Sequence, residues 1–288
     1  MGKQKALLEI HLAVYLFGFA GLFGKWLLLS PFIIVLGRVF FASLMLALLL
    51  LFSKQSLKIV PNKEYSLLFS LGFLLSLHWV SFFKSIQVST VAVGLLSYSS
   101  FPVFTAFLEP LFSKEKIDKF NILFALLCIF GVFLIIPRFD LANRIYQGVL
   151  WGLLSGFTFA LLSILNRKLS QKHSSLVIAF FQDSFAILFL FPFLFFSRPI
   201  FSLKNMLLLA ILGIFCTAGA HTLFIKGMRE VKAQSASIIS SLEPVYGIVL
   251  AFFFLHEIPS LRSILGGTII LGTALFVSLR AGTRLSGS

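Results

Sequence analysis

The 288-residue sequence predicts an all-α, polytopic membrane protein: ten transmembrane helices arranged as a 5+5 inverted repeat, with both termini in the cytoplasm. Three observations predict it. The chain is 59% hydrophobic and 12% charged, with a mean hydropathy of +1.02, whereas a soluble globule carries about 25% charged residues. The apolar residues, 37 Phe among them, gather in long runs that are apolar all round, unlike the alternating strands of about ten residues in a membrane barrel. The text of the first half also recurs 142 residues later.

Charge clusters, prolines and polar turns cut the chain into ten runs, at 7–28, 32–52, 66–84, 91–112, 120–137, 147–166, 176–196, 204–225, 233–254 and 261–279. At 1.5 Å per residue each is long enough for a helix to cross a hydrocarbon core of about 30 Å. The first run follows Lys3 and Lys5 and has no small-residue cleavage site, so it reads as a retained span. Basic residues then mark every boundary in turn. Lys25 closes the first run, Lys54, Lys58 and Lys63 follow the second, Lys84 closes the third, and Lys114, Lys116 and Lys119 follow the fourth. Arg138 and Arg144 follow the fifth, Arg167, Lys168 and Lys172 the sixth, Arg198 and Lys204 the seventh, and Lys226, Arg229 and Lys232 the eighth. Arg262 separates the last two, and Arg280 and Arg284 end the chain.

With the N-terminus inside, sixteen Lys and Arg fall on the inner side, seven on the outer side, and Arg38 within a span. Positive residues accumulate on the cytoplasmic side of membrane proteins, which fixes the orientation. The formal charge of +14 is thus topological information and not a nucleic-acid signal. Cys128 and Cys216 lie inside apolar runs and read as small apolar residues, not a disulfide.

The 142-residue shift matches Pro102 with Pro244, Val103 with Val245, Phe104 with Tyr246, Glu115 with Glu257, Lys25 with Arg167, Lys84 with Lys226, Phe17 with Phe159 and Phe82 with Phe224. Each half then holds five spans, an odd number, so the halves face opposite ways. Such inverted repeats bind substrates near the midplane between halves. The units expected are residues 1–140 and 145–280, with 281–288 as a cytoplasmic tail.

The segment Glu243-Pro-Val-Tyr-Gly-Ile-Val-Leu-Ala-Phe-Phe-Phe-Leu-His-Glu257-Ile-Pro resembles the second-half signature of the EamA-type family of the drug/metabolite transporter superfamily. That family commonly has Gly where His256 stands. The first-half copy, Pro102-Val-Phe followed by Ser113-Lys114-Glu115, is looser, with Ser-Lys in place of the usual Leu-Gly. The resemblance covers nearly the whole chain. It implies a ten-helix bundle with a central cavity, and members that carry amino acids, other metabolites or drugs.

Glu243 lies ten residues into its run, roughly 15 Å deep. An acid at that depth costs at least ~2.5 kcal/mol unless it faces water or a partner, which marks it as a candidate. Pro244 deprives the Ser240 carbonyl of its helical partner, and Ser240, Glu243 and Gly247 share a face with Tyr246 beside them. Pro102 does the same to the carbonyl of Tyr98, on a face with Gly94, Phe101 and Thr105. Arg38 is always charged; it either snorkels to the interface, pairs with an acid or holds an anionic group of a substrate. Gln182 and Asp183 occupy a comparable depth in the seventh run, and Trp79 aligns with His221, next to His78. The substrate-binding candidates are therefore Glu243, Tyr98, Arg38, Trp79, His221, Ser240, Tyr246, Phe101, Gln182 and Asp183. His11 and Tyr15 form a further polar strip, and Glu109, Lys84 and Lys226 read as interface charges.

No phosphate-cradling Gly-rich loop and no metal-spaced His/Cys cluster occurs in the sequence, so neither an enzyme nor a cofactor is expected. The expectation is a secondary-active transporter of the inner membrane that moves a small polar metabolite by alternating access. An acid, a base and aromatics suit a zwitterion such as an amino acid. Exchange of a larger metabolite, such as an S-adenosylmethionine-like nucleoside derivative or a drug, is the alternative, and an intramembrane lipid-processing enzyme ranks below both. Expected partners are the substrate, the bilayer and a coupling proton or counter-substrate, with no nucleic acid, in a monomer or homodimer.

Overall fold

The computed structural model describes residues 2–54, 62–113, 119–197, 199–231, 239–240 and 242–285, and within them every regular element is a helix. The elements are α1 (Gly2–Trp26), α2 (Pro31–Ser53), α3 (Asn62–Val88), α4 (Val91–Tyr98), α5 (Phe101–Ser113), α6 (Lys119–Ile135) and α7 (Arg144–Ser170). They continue with α8 (Ser175–Leu190), α9 (Phe193–Ser197), α10 (Leu203–Gly213), a π-helical turn (Ile214–Gly219), α11 (Ala220–Glu230), α12 (Glu243–Leu255) and α13 (Leu261–Leu285).

Six stretches among the described residues are long and apolar enough to cross a membrane: Gln4–Trp26, Pro31–Ser53, Glu64–Val88, Val91–Phe112, Arg144–Ser170 and Leu203–Glu230. Shorter apolar helices occupy the fifth, seventh, ninth and tenth runs of the sequence. Local chemistry explains the starts. Ser30 is extended and Pro31 follows at the first helical position of α2, where its missing N–H costs nothing. Thr90 caps α4 by accepting from the Val93 amide, and Asn143 caps α7 by accepting from the Ile145 and Tyr146 amides.

Three expected continuous spans are interrupted. The fourth run breaks at Ser99–Ser100, just before Phe101-Pro102, and the ninth restarts as α12 at Glu243, just before Pro244. A helix of about 22 residues kinked at Pro244 is thus replaced by a fresh helix start, with Glu243 in its first turn. The seventh run also divides, α8 ending before Phe191-Pro192 and α9 resuming after it. Residues 233–238 and Ser241 of the ninth run, and Lys114 and Glu115 of the first-half motif, lie outside the described residues.

Packing repeats along with the sequence. α1 packs on α11 and α12, and α7 packs on α3 and on α4–α5, which are the same pairings after the 142-residue exchange. α2 packs on α8 and α6 on α13, each pair being its own mate. Small residues bring the backbones together, as in membrane bundles generally. A Cβ on Gly18 of α1 would sit 2.9 Å from the Glu243 carbonyl and 3.0 Å from the Gly247 nitrogen. On the perimeter, large side chains such as Phe40, Leu44, Phe196 and Phe253 are exposed, the surface expected of helices that face lipid.

Candidate functional site

A cavity lies where the two halves meet, and its walls follow the repeat. Phe17 and its mate Phe159, Phe82 and its mate Phe224, and Trp79 and its mate His221 all line it. Trp79 and His221 touch edge to face at 5.7 Å, Phe17 and Phe224 at 5.7 Å, and Phe159 packs on Tyr98 at 5.3 Å. Residues related by the repeat meet each other only near the axis that relates the halves, so the cavity sits on that axis.

The polar groups do not follow the repeat. Arg38 comes from α2, where its mate on α8 is Phe180, and Glu243 comes from the start of α12, where its mate is Phe101. Asn166 and Ser163 come from α7, where the mates on α1 are Gly24 and Gly21. The aromatic lining is thus duplicated, while the charged and hydrogen-bonding groups occur once.

Arg38 is almost completely buried, at 1% exposure, so snorkelling to the interface is ruled out. Its Nε donates to Thr217 Oγ1 at 2.9 Å, one Nη donates to the Cys216 carbonyl at 3.3 Å, and the guanidinium lies 3.9 Å from the centre of the Trp79 ring. The π-helical turn makes this possible: a π turn shifts hydrogen bonding from i+4 to i+5 and is frequent at functional sites, and here it turns Cys216 and Thr217 toward α2. Thr217 Oγ1 in turn donates to the Leu212 carbonyl at 2.9 Å. With two of five donors engaged, Arg38 retains capacity for an anion.

Glu243 is buried, with the Tyr98 hydroxyl beside its carboxyl, and Oε2 has no hydrogen-bond partner. Arg38 and Glu243 line the same cavity without coming within ion-pair distance. His221 Nδ1 and Ser163 Oγ are likewise buried without partners. Buried polar atoms are normally satisfied, so a set of orphans facing one cavity marks a place where a polar ligand or water binds. His78 is the exception: its Nδ1 lies 3.0 Å from both the carbonyl and the hydroxyl of Ser155, a tie between α3 and α7. The free space is about 40 Å³, enough for about three water molecules at roughly 10–15 Å³ each. At that size the cavity takes a few waters, and an amino acid fits only if the helices move apart.

Of the other sequence candidates, Phe101 stacks on Tyr98 at 5.4 Å behind the wall, and Ser240 is buried with its hydroxyl unpartnered. Tyr246 turns away from the cavity to pack on Tyr15 at 5.6 Å. Gln182 stands one step back, donating to Asn166 Oδ1, and Asp183 is outside the cavity wall. Asn166 and Ser163 were not singled out in the sequence because they sit close to Arg167, where polar residues read as a span end.

Ion pairs close both ends of the bundle. Lys25 Nζ donates to the Ser89 carbonyl at 2.7 Å and lies 3.8 Å from Glu257, whose Oε2 accepts from the Val91 amide at 2.8 Å. Toward the other end, Lys226 pairs with Glu9 at 2.6 Å, Lys172 with Glu64 at 2.9 Å, Arg167 with Glu109 at 3.7 Å, and His173 with Glu64.

Comparison with known proteins agrees with this architecture. The model of the EamA-like transporter family matches twice, over residues 4–136 and 146–279. Transporter YxxF of Bacillus subtilis, described as uncharacterized, is 27% identical over 97% of this chain and 92% of its own length. The S-adenosylmethionine uptake transporter of Rickettsia conorii is 25% identical over 82% of this chain and 78% of its own. A crystal structure superposes with a TM-score of 0.69 over 98% of this chain and 99% of that one, at 18% identity. Matched by that family model over both halves, the chain belongs to the EamA-like transporter family and is an integral, multi-pass membrane protein.

Proposed function

We propose that this protein is a secondary-active transporter of a small polar metabolite, an amino acid or amino-acid-like compound, which it carries by alternating access around the cavity between its halves. In this reading ten helices form a 5+5 inverted repeat in the cytoplasmic membrane, with both termini inside, and the halves rock about the shared axis. The observation that carries it is a cavity on that axis holding Arg38 and Glu243 apart, with aromatic faces between them. A substrate carboxylate meets Arg38, its ammonium meets Glu243 Oε2 and the Tyr98 hydroxyl, and its side chain lies against Phe17, Phe82, Phe159 and Phe224. Arg is suited to carboxylates by its planar fork, and aromatic faces attract cations. In this reading the substrate itself is carried without covalent change.

A larger ligand of the S-adenosylmethionine type is the second reading, supported by the Rickettsia relative named for that uptake. Such a molecule has the same amino-acid end, plus a sulfonium and a base for the aromatic faces. Counterflow in proteoliposomes, with labelled amino acids and labelled S-adenosylmethionine as separate probes, decides between them. Glu243→Gln is expected to lower exchange of the true substrate at least tenfold while the protein remains folded. Unchanged exchange in that variant removes Glu243 from the site, and no exchange of any probe overturns both readings.

A further inference from the structure

Asp183 is a buried acid that binding in the cavity leaves without a task. It sits in the middle of α8 at 0% exposure, and neither carboxyl oxygen has a hydrogen-bond partner. Its neighbour Gln182 is equally buried; one end donates to Asn166 in the cavity wall, and the other, Oε1, is unpartnered. Gln182 thus ties α8 to the cavity wall one residue from Asp183, and the nearby hydroxyls are engaged elsewhere, Ser76 with the Gly72 carbonyl and Ser184 with Ser43.

α8 packs against α2, α3, α7 and α11. From α2 comes Arg38, the charged group whose field reaches Asp183, though not within ion-pair distance. α3 contributes His78 and α11 contributes His221, both of which face the cavity beside Arg38, and α7 contributes the neutral Asn166. The repeat sharpens the pairing. α2 and α8 are equivalent helices, with Arg38 standing where α8 has Phe180 and Asp183 where α2 has Phe41. Two Phe positions, three residues apart, have become a base on one copy and an acid on the other.

We propose that Asp183 is the proton-coupling site of transport, acting through Arg38. An ionised carboxylate with no partner is strongly disfavoured in such surroundings, so in the closed form Asp183 carries a proton and leaves the Arg38 charge available to the substrate's anionic group. When the halves part and water reaches α8, the O–H bond of Asp183 ionises, the proton passes to water, and the carboxylate competes for Arg38 and releases the anion. Proton and anionic substrate therefore bind with mutual reinforcement, the reciprocity of any linked pair of sites, and travel together. The inference rests on the reading of the cavity as a site for an amino-acid-like substrate.

Two measurements on the full-length protein test it. In lipid nanodiscs, infrared difference spectra taken through a pH titration should show the carbonyl stretch of a protonated carboxylic acid that Asp183→Asn removes and Glu243→Gln leaves. In proteoliposomes loaded with each labelled amino acid in turn, a gradient of one pH unit should drive accumulation toward tenfold in the wild type. Asp183→Asn should lose that drive and Asp183→Glu should keep it. If the titration shows no such band, or if Asp183→Asn responds to the gradient as the wild type does, the proposal is overturned. A wild type that exchanges no amino acid overturns the cavity reading instead, and the persistence of the Asp183 band tells the two failures apart.

Discussion

The two helix breaks, at Ser99–Ser100 and just before Glu243, are written in the same Pro-Val-aromatic text and do different work. The first turns out an uncharged surface, Tyr98 stacked on Phe101. The second places a buried acid at the start of a new helix, one turn from the close approach of Gly18 and Gly247. What the halves share is shape: helix starts, helix pairings and the two Phe pairs of the cavity. What they do not share is the charge of the cavity, where Arg38 and Glu243 each align with a Phe of the other half; on the proposed reading that asymmetry suits the two unlike ends of a zwitterion.

Moving the acid to its mate is the severest challenge to that contrast. The double variant Phe101→Glu, Glu243→Phe preserves the pattern of the two breaks but reverses its sense relative to Arg38. Loss of a buried charge partner costs about 2 kcal/mol or more, so counterflow should fall on the order of thirtyfold. Retained exchange would mean that the halves are interchangeable after all. Arg38→Lys keeps the charge and discards the planar fork that spans Thr217 and Cys216; a rise of roughly tenfold in the counterflow KM is expected. Glu257→Gln weakens the joint between Lys25 and the α4 amide end, and should lower stability by about 1–2 kcal/mol in thermal unfolding. The smallest effect belongs to His256, which closes α12 in the left-handed region at φ 54°. Glycine tolerates that backbone without penalty, so His256→Gly should raise stability by about 0.5–1 kcal/mol.

Much of the fold was legible because it rests on lengths and on prolines. Runs of about 20 apolar residues, basic boundaries and the 142-residue shift located the helices, and Pro102 and Pro244 marked two interruptions. The full break at Glu243 was not legible, since proline also allows a kinked continuous helix, and on such a helix Tyr246 shares the cavity face. Arg38 shows a different limit. Sequence places it near the end of its run, where reaching outward is cheap, but its acceptors lie 178 and 179 residues away in a π turn that no local pattern announces. Trp79, His221 and the two Phe pairs were visible as repeat mates. Their meeting at one point followed only from the axis that the packing defines.

The size of the cavity bears on what the proposed carrier would withhold as well as on what it would carry. The cavity of about 40 Å³ has room for about three water molecules at roughly 10–15 Å³ apiece, about half of what a cation with six waters of hydration needs. On the proposed reading, hydrated sodium or potassium then enters only by shedding part of that shell. In that cycle the duplicated Phe pairs act as insulation, while the single acid and single base select the cargo.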